Sequence, residues 1–372
     1  MYAFGYNENI NINISGYLMK KLLSLCLLWL VILQVCFLSG CKAGANREKF
    51  TDYSFDYFDT VTTIIGYEKS EKVFKENCEK IKEQLYEYHK LYTIYTRYEG
   101  INNLCSINAL SDGTHTEQTV DERIIEMLEF SKEMYTLTNG RVNIAMGSVL
   151  SIWHNYRQRG TNDPAKAELP DIKDLEAAAV HTDINDLVID KENKTVFLID
   201  DEMSLDVGAI AKGYAVEDVA LWMKKQGMDG YVLNVGGNVR TVGTKPDGKN
   251  WTVGIENPDT DNQDEPYIAY LEFSDMALVT SGSYQRFYMV DGKSYHHIID
   301  PDTLMPGEKY LSVSVLCESS AKADALSTAL FTMSFDDGKA LVEGLENTEA
   351  MWVLHDGSQK YSSGFSKYVS EQ

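Results

Sequence analysis

Hydrophobic and polar residues along the chain follow two periods, one typical of strands and one typical of helices. Residues 50–67 alternate and are rich in β-branched and aromatic side chains, which predicts a strand there. The next residues carry apolar side chains at helical spacing and predict a long amphipathic helix at 69–92. A second helix is predicted at 119–137, with Thr119 as N-cap and Glu122 completing a capping box.

The rest of the chain mixes further helices with short strands, which predicts an α+β fold. No internal repeat, low-complexity tract or clear linker interrupts it, so we expect a single composite domain of mixed sheets and packed helices. The further elements are helices at 209–226 and 322–335, strands at 187–190, 195–199 and 313–316, mixed strands and turns at 231–299, and a polar loop at 159–170.

The N-terminus combines positive charge with a short apolar run. Lys20 and Lys21 precede an apolar stretch at 22–37, and the sequence Leu-Ser-Gly-Cys ends at Cys41. This order is typical of a secretory signal, and its last four residues look like a bacterial lipobox, so we expect Cys41 to be lipidated. The alternative is an uncleaved anchor helix, although a membrane span needs roughly 20 residues. Both interpretations place the domain outside the cytoplasmic membrane.

These signals divide the chain into four expected parts. They are a possible start-site extension at 1–18, a lipoprotein signal peptide at 19–40, a tether at 41–49 and the folded domain at 50–372. Beyond Cys41, the domain keeps Cys78, Cys105 and Cys317, whose number and spacing indicate no disulfide framework and no CxxC metal site. We expect all three to be buried small side chains.

The chain is strongly acidic, with a formal net charge of −22 at pH 7. Such a surface argues against nucleic acid as a partner and against electrostatic attachment to a membrane. A phosphate ligand would therefore need local help from a metal ion, a helix N-terminus or a few cations.

The segment from Thr280 to Gly307 combines residues suited to a flat, phosphorylated ligand. Gly282 permits close backbone approach, and Arg286 lies within an aromatic run that offers stacking faces and a fork for phosphate. His296 and His297 supply titratable groups, and the following Asp-Pro turn fixes the end of their strand. A β-hairpin with one mixed face explains the same pattern equally well.

A strand-turn-helix junction is predicted at 205–214. Asp206 precedes the turn at Gly208, and Lys212 lies six residues after Asp206 on the helix that follows. A helix N-terminus binds anions, although the pattern is not a Walker P-loop, and a capped surface helix with a chance lysine is the alternative. The Gly pair within 234–238 suits either close approach by a ligand or helix, or a plain turn.

A third segment, Ala323 to Leu330, carries oxygen ligands at helical spacing. Asp324 and Thr328 are four residues apart and share one face of a helix. A carboxylate, a hydroxyl and a nearby carbonyl suit Mg²⁺, which prefers oxygen ligands. The alternative is an aspartate favoured by the helix dipole, with the threonine bonded back to a carbonyl.

Taken together and in order, these segments resemble the ApbE family of flavin transferases, older name thiamine-biosynthesis lipoproteins. The motifs are D-x-G-A-I-A-K-G-Y, N-x-G-G-N, S-G-x-Y-x-R-F-Y, H-I-I-D-P-x-T and A-D-A-L-S-T-A, and the resemblance covers roughly residues 50–355. It implies a T-fold-related architecture, FAD as donor substrate and Mg²⁺ as cofactor. It also implies transfer of the FMN half of FAD to a Thr or Ser hydroxyl of an acceptor protein, with release of AMP.

The resemblance also implies roles for individual residues. His297 becomes the candidate catalytic base, and Asp206 is the competing one. Phe58 and Asp59 stand where many members have Met and Gly, and Asn143 replaces a usual Asp, so these positions depart from the family pattern. The expected metal ligands are Ala209 through its carbonyl, Asp324, Ser327 and Thr328, and the expected flavin contacts are Phe58, Tyr95, Arg141, Val142, Asn143, Asp206, Lys212, His297 and Ile298.

The implied partners are FAD, an acceptor with an extracytoplasmic FMN-binding domain that bears a Thr or Ser flavinylation motif, and the membrane through a lipid anchor. Two alternatives to transfer remain open at this point. Water could attack in place of the acceptor, giving an FAD pyrophosphatase, or the protein could be a flavin-binding lipoprotein without enzymatic activity. The motifs do not separate the transferase from the hydrolase, because both need the same donor pocket.

Overall fold

The computed structural model describes residues 47–259, 262 and 264–370. The helices in this part are α1 Glu71–Tyr92, α2 Leu104–Ile107, α3 Glu122–Leu137, α4 Gly147–Asn162, α5 Ile172–Ala179, α6 Ala211–Lys225, α7 Ser320–Thr332 and α8 Phe335–Glu343. The strands are β1 Glu48–Tyr57, β2 Thr60–Glu68, β3 Gln118–Thr119, β4 Leu187–Asp190, β5 Thr195–Leu198, β6 Tyr231–Val235, β7 Asn238–Val242, β8 Trp251–Glu256, β9 Tyr267–Phe273, β10 Ala277–Gly282, β11 Phe287–Val290, β12 Lys293–His296, β13 Ser312–Cys317, β14 Glu349–Val353 and β15 Gln359–Tyr361.

An eight-stranded antiparallel sheet in the order β1-β2-β6-β7-β10-β13-β14-β15 organises the domain. Alternate side chains of each strand face opposite sides of this sheet, so each side can bury its own apolar set. On β10, Ala277 and Val279 pack with α7, whereas Leu278 packs with the hairpin β8–β9 on the other side. The strands and helices predicted from the two periods therefore pack as layers of one α+β structure.

Helices α1, α6 and α7 cover one side of the sheet. Helix α1 buries an apolar stripe at helical spacing, which includes Phe74, Cys78, Ile81 and Leu85. Helix α7 is buried almost all round, because it lies between α6 and the strands β10 and β13. The residues on α7 are therefore held rigidly against two neighbouring elements.

A smaller cluster outside the sheet packs α4 and α5 against the hairpin β11–β12. Trp153 of α4, Leu175 of α5 and Tyr288 of β11 are buried together in it. The indole N–H of Trp153 donates to the carbonyl of Leu304 at 2.8 Å. This cluster fixes the hairpin that leads into the two histidines.

Three connections lie at the same end of the main sheet. They are the β1–β2 turn at Phe58 and Asp59, the β6–β7 turn at Gly236 and Gly237, and the chain leaving β10 at Gly282. The antiparallel register places them together, since β2 pairs with β6 and β7 pairs with β10. A Cβ on Gly236 would overlap the side chain of Thr60, so these turns pack tightly.

The structure corrects several predicted boundaries. The predicted strand at 50–67 is a hairpin, because Phe58 and Asp59 both have positive φ and turn the chain. Helix α3 begins at Glu122, and its N-cap is Asp121, whose side chain accepts the Arg123 N–H; Thr119 instead pairs with Thr195. The capping-box prediction at Thr119 was therefore wrong.

Two further corrections concern helices. The predicted helix at 209–226 begins at Ala211, so Lys212 lies in its first turn. The predicted polar loop at 159–170 contains the last turn of α4 and a 3₁₀ turn at Pro164–Lys166. The sequence interpretation missed α4, α5 and α8 as separate helices.

The cysteines and the N-terminal signal have different outcomes. Cys78 and Cys317 are buried as expected, whereas Cys105 is half-buried. Within the described residues, no helix is long and apolar enough to cross a membrane. Residues 1–46, which carry the predicted signal and Cys41, lie outside the described part.

Candidate active site

Helix α7 carries Asp324 in its second turn and aims it at the start of α6. One oxygen of the Asp324 carboxylate, Oδ2, accepts the backbone N–H of Gly213 at 2.8 Å. The other oxygen, Oδ1, lies 3.8 Å from Nζ of Lys212. Asp324 is only 4 % exposed, so this carboxylate is buried beside a cation and a helix N-terminus.

Three hydroxyl groups surround the same turn of α7. The Ser327 and Thr328 hydroxyls donate to the carbonyl of Asp324 at 3.0 and 3.3 Å. The Ser281 hydroxyl at the end of β10 lies 2.9 Å from that of Ser327 and 3.5 Å from that of Thr328. The predicted pair Asp324 and Thr328 is therefore joined by Ser281, which the sequence interpretation did not single out.

Ala209 lies in the turn just before α6, and no side chain of its own segment caps this helix. In an ideal helix the Gly213 N–H would bond to the carbonyl four residues earlier, which belongs to Ala209. Because Gly213 donates to Asp324 instead, the Ala209 carbonyl is not needed for that helical bond. The predicted ligands Ala209 and Asp324 thus meet at the same helix end.

Asp206 forms the turn that leads into α6. Its Oδ1 accepts the Gly208 N–H at 2.8 Å, and its backbone N–H donates to the Ile144 carbonyl. Some of the side chain remains accessible, yet loss of water around the carboxyl raises the pKa of Asp206. The Gly208 hydrogen bond and the nearby cationic groups of Arg157 and Arg286 oppose this rise.

His297 follows β12 and contacts the segment that carries Arg286. Its Nδ1 lies 3.3 Å from the Arg286 carbonyl, which is a hydrogen bond if Nδ1 carries the proton. Burial, reinforced by the positive charges of Arg286 and Arg157, lowers the pKa of His297 to about 3. The imidazole is therefore neutral at pH 7, and in this tautomer its Nε2 keeps a free lone pair.

Two arginines, Arg157 and Arg286, lie beside Asp206 and His297, and the sequence interpretation missed Arg157 and its neighbour His154. Nη2 of Arg157 on α4 lies 3.2 Å from Nδ1 of His154, three residues earlier on the same helix face. Burial and the charge of Arg286 lower the pKa of Arg157. Within the described residues, neither arginine lies within 4.0 Å of a carboxylate oxygen. A helical prediction for 147–162 would have placed His154 and Arg157 together.

The predicted aromatic contacts border these two arginines. The ring of Tyr95 lies 5.4 Å from that of His154, and Tyr95 is 61% exposed, so its face is open to a ligand. Phe58 packs edge-on against His89, which also accepts the Phe58 N–H at 3.2 Å. Next to Phe58, the Asp59 carbonyl accepts a hydrogen bond from Arg286 at 3.4 Å.

The predicted contacts at Arg141 and Asn143 are occupied by protein partners. Arg141 forms ion pairs with Asp300 at 3.1 Å and with Asp302 at 2.5 Å, so it holds the Asp-Pro turn after the histidines. The Asn143 amide donates to the Thr182 carbonyl and accepts the Ala145 N–H, both at 2.9 Å. Both side chains therefore support the loops around the site, and their role toward flavin stays a prediction.

Val142 and Ile298 are buried, with 2% and 5% exposure. The N–H of Val142 donates to the Thr138 hydroxyl, and the N–H of Ile298 donates to Nδ1 of His296. Their side chains contribute to hydrophobic clusters. A contact from either residue to a flavin stays a prediction.

The site has an oxygen-rich half and a cationic half. The first consists of Ser281, Asp324, Ser327, Thr328 and the Ala209 carbonyl, and the second of Arg157 and Arg286 beside Asp206 and His297. Two short segments connect the halves. Residues 206–212 run from Asp206 to Lys212, and residues 281–286 run from Ser281 to Arg286. Both halves are therefore positioned by the same turns.

Asn238 at the start of β7 is 1% exposed, and its Nδ2 has no hydrogen-bond partner among the described residues. Asn238 pairs with Val279, and so lies on the side of the sheet that α6 and α7 cover.

The described residues contain no group of three or more His, Cys, Asp or Glu side chains that could hold a metal ion. The predicted magnesium site would not appear as such a group, because Asp324 is its only carboxylate. Its other members are the hydroxyls and the carbonyl already described.

The sequence model of the ApbE family matches residues 58–352. The chain belongs to the ApbE family. An FAD:protein FMN transferase of Vibrio cholerae serotype O1 is 29% identical over 354 residues, which cover 92% of this chain and 99% of that protein. One of Treponema pallidum is 27% identical over 363 residues, covering 92% and 95%.

Solved ApbE structures have the same fold. The ApbE protein of Thermotoga maritima superposes with a TM-score of 0.73 at 27% identity, over 87% of this chain and all of that one. The flavin transferase ApbE of Vibrio cholerae gives a TM-score of 0.70 at 24% identity, over 87% of this chain and 99% of that one. The predicted ApbE membership, the α+β fold and flavin transfer as the class of activity are confirmed.

Proposed function

We propose that this protein transfers the FMN half of FAD to a Thr or Ser hydroxyl of an acceptor protein in a Mg²⁺-dependent reaction. One observation carries the proposal: the buried Asp324 carboxylate accepts an N–H at the start of α6, and the Thr328 hydroxyl, which lies 3.5 Å from that of Ser281, donates to the backbone carbonyl of the same Asp324. The relatives are named for the same transfer, from FAD to protein.

The oxygen-rich half of the site fits a magnesium ion. Asp324 offers a carboxylate, and Thr328 offers a hydroxyl whose proton is already used on the Asp324 carbonyl, which leaves its lone pairs available. The Ala209 carbonyl would complete a set of hard oxygen ligands. When bound there, Mg²⁺ would supply positive charge to the pyrophosphate oxygens of FAD.

The reaction needs one bond to form and one to break. The acceptor hydroxyl oxygen would form a bond to the FMN phosphorus while the bond from that phosphorus to the bridging oxygen breaks and AMP leaves with the electron pair. The hydroxyl proton must then go to a base. Such transfers depend mainly on positioning and on neutralising charge, so the cations beside the site matter as much as the base.

Two residues are suited to accept the proton. His297 is neutral at pH 7 because its pKa is lowered to about 3, so Nε2 is a ready but weak base. Asp206 has a raised pKa, because burial disfavours its charge, and this makes it a stronger base than an ordinary aspartate. We assign the role to His297, because its Nδ1 lies 3.3 Å from the Arg286 carbonyl and its Nε2 keeps a free lone pair. Asp206 is the competing base.

The cations explain how an acidic protein accepts a dianionic donor. Over the whole chain the net charge is −22, which repels phosphate. Lys212 lies beside Asp324, while Arg157 and Arg286 lie beside His297 without carboxylate partners among the described residues. These three side chains would offset the charge of FAD along the length of the site.

The acceptor and the location are further parts of the proposal. We infer lipidation at Cys41, which would leave a short tether before β1 and hold the domain outside the cytoplasmic membrane. An acceptor at the same surface would be an FMN-binding domain with a Thr or Ser flavinylation motif. Stable anchoring needs two or more acyl chains.

The test uses the full chain in detergent with FAD, Mg²⁺ and an acceptor domain that carries a Thr motif. We expect in-gel flavin fluorescence and a mass gain of one FMN on the acceptor, with equimolar AMP. Asp324→Asn should lower the rate of labelling by roughly 100-fold or more. Release of FMN and AMP without labelling, with two different acceptors, would indicate hydrolysis, and unchanged bound FAD would indicate a carrier.

A further inference from the structure

A buried ion pair lies behind the predicted metal site. Nε and Nη2 of Arg240 on β7 donate to the two carboxylate oxygens of Glu217 on α6, at 2.9 and 3.0 Å. Arg240 is 2% exposed, and its Nη1 donates to the Thr241 carbonyl at 2.7 Å. The geometry is bidentate, which is the strongest arrangement for this pair.

Glu217 has a second partner on the helix that carries Asp324. Its Oε2 accepts the backbone N–H of Ser320 at 2.6 Å, and Ser320 is the first residue of α7. This N–H is one of the groups that a helix leaves unpaired at its start. One carboxylate therefore joins β7, α6 and the beginning of α7.

The two helices cap each other. Glu217 of α6 accepts an N–H at the start of α7, and Asp324 of α7 accepts the Gly213 N–H at the start of α6. Gly213 and Glu217 are four residues apart, as are Ser320 and Asp324, so the two bonds connect the helices one turn apart. Two such points fix both the sliding and the rotation of α7 on α6.

We propose that Glu217, held by Arg240, is a positioning residue that sets the affinity of the site for Mg²⁺. This inference rests on the proposed Mg²⁺-dependent transfer. Loss of the Glu217 bond to Ser320 would leave one of these two hydrogen bonds between α6 and α7, and the Asp324 carboxylate could then shift from the Ala209 carbonyl. A metal that needs near-ideal geometry is sensitive to such shifts.

Stability alone does not explain an ionic pair at this place. Replacing a buried ion pair by apolar side chains of similar volume is often neutral or stabilising, because the charges no longer need to be desolvated. A pair that only supported the fold could therefore be replaced without loss. A pair that also positions α7 could not, since an apolar side chain cannot accept the Ser320 N–H.

The experiment compares three variants of the full chain in detergent with the wild type. Glu217→Gln is nearly isosteric, and Glu217→Leu combined with Arg240→Met replaces the pair by apolar side chains. Asp121→Asn is the matched control, because Asp121 also caps a helix and pairs bidentately with an arginine, Arg123, on α3. The readouts are the thermal midpoint, Mg²⁺ binding by calorimetry with FAD present, and the transfer rate against Mg²⁺ concentration.

We expect the double variant to weaken Mg²⁺ binding by about tenfold or more, as changes behind metal ligands commonly do. Glu217→Gln should weaken it less, because its remaining oxygen can still accept the Ser320 N–H although its amide cannot accept both bonds from Arg240. The rate at saturating Mg²⁺ should change much less, and the thermal midpoint of the double variant should fall only moderately, because the Ser320 N–H loses its acceptor while the buried charges are removed. Asp121→Asn should leave the Mg²⁺ titration unchanged.

A wild-type Mg²⁺ titration in the double variant would overturn the inference, and so would loss of folding in both Glu217 variants, since the pair would then act only on stability. A wild-type protein without Mg²⁺-dependent transfer would contradict the proposed function itself. The two failures are therefore distinguishable.

Discussion

Gly213 and Asp324 lie so close across the contact between α6 and α7 that a Cβ on residue 213 would overlap the Cβ of Asp324. The same close approach brings the Gly213 N–H within 2.8 Å of the Asp324 carboxylate. Glycine at 213 is thus required to place Asp324 at the N-terminus of α6, where the pyrophosphate of FAD would bind.

The first prediction concerns that contact. Gly213→Ala should lower stability by about 1–3 kcal/mol, as overpacking does, and should also move Asp324 and weaken Mg²⁺-dependent transfer. Gly344→Ala is the control, because Gly344 has a φ of −82° and a Cβ there would meet its nearest neighbour at 3.4 Å. Thermal unfolding and transfer assays of both variants check it, and an active Gly213→Ala protein would show that the close approach is dispensable.

The second prediction separates the two tasks of Asp324. Asp324→Asn keeps an oxygen that can accept the Gly213 N–H but removes the charge, so the fold should persist while transfer falls roughly 100-fold or more, about 2.7 kcal/mol of barrier. Asp324→Ala should in addition lower the thermal midpoint, since the Gly213 N–H loses its acceptor. Equal thermal midpoints for the two variants would indicate that the hydrogen bond contributes little.

The third prediction concerns His297 as the base. His297→Gln should lower the rate of transfer by roughly 10²–10⁴-fold without changing FAD binding by a comparable factor. The pKa of His297 is lowered to about 3, so this residue should not titrate between pH 5.5 and 7.5. The pH profile of kcat/KM in that range should therefore have the same shape in the wild type and in His297→Gln. Full activity of His297→Gln would remove this residue from the role.

The same lowered pKa affects stability. Between pH 6.5 and about 3 the unfolded chain binds a proton at His297 that the folded protein does not, so the free energy of unfolding falls as the pH decreases through this range. His297→Gln should make this decrease shallower. Denaturant unfolding at pH 7 and pH 5 measures it, with His355→Gln, an exposed histidine, as the control.

The fourth prediction concerns the competing base. Burial raises the pKa of Asp206, so this carboxyl takes up its proton at a higher pH than an ordinary aspartate does. If Asp206 accepts the proton of the acceptor hydroxyl, kcat/KM should decrease as the pH is lowered, with a midpoint above pH 3.8. Asp206→Asn should then abolish most of the activity and this decrease at acid pH. An unchanged decrease at acid pH in an active Asp206→Asn protein would exclude it.

The metal half of the site could be predicted from the sequence because its residues follow local rules. Asp324 and Thr328 are four residues apart on one helix, and Ala209 precedes a helix start, so helical spacing and chain order place them. The link between them, the contact of Gly213 with Asp324, joins residues 111 apart in the chain, and no local pattern indicates it.

The cationic half shows why the rest was missed. His154 and Arg157 lie on α4, a helix that begins without a side-chain cap and buries few apolar residues, so its periodicity is weak. Arg286 was predicted as a fork for phosphate within an aromatic run, but its place beside Arg157 was not. Their proximity to His297 depends on the packing of α4 against the β11–β12 hairpin, which is a tertiary contact between residues such as Trp153 and Tyr288.

The last prediction concerns the turn that divides the predicted first strand. Phe58 and Asp59 have φ values of 54° and 50°, and Tyr57 pairs with Thr60, so the hairpin closes through two residues in the left-handed region. Asp59→Gly should raise the free energy of unfolding by about 0.5 kcal/mol, because glycine adopts this φ without steric cost. The Asp59 carbonyl, which accepts from Arg286, is kept, so transfer should be unaffected. Denaturant unfolding measures the gain, and Asp56→Gly on β1 is the control, which should destabilise since glycine weakens strands.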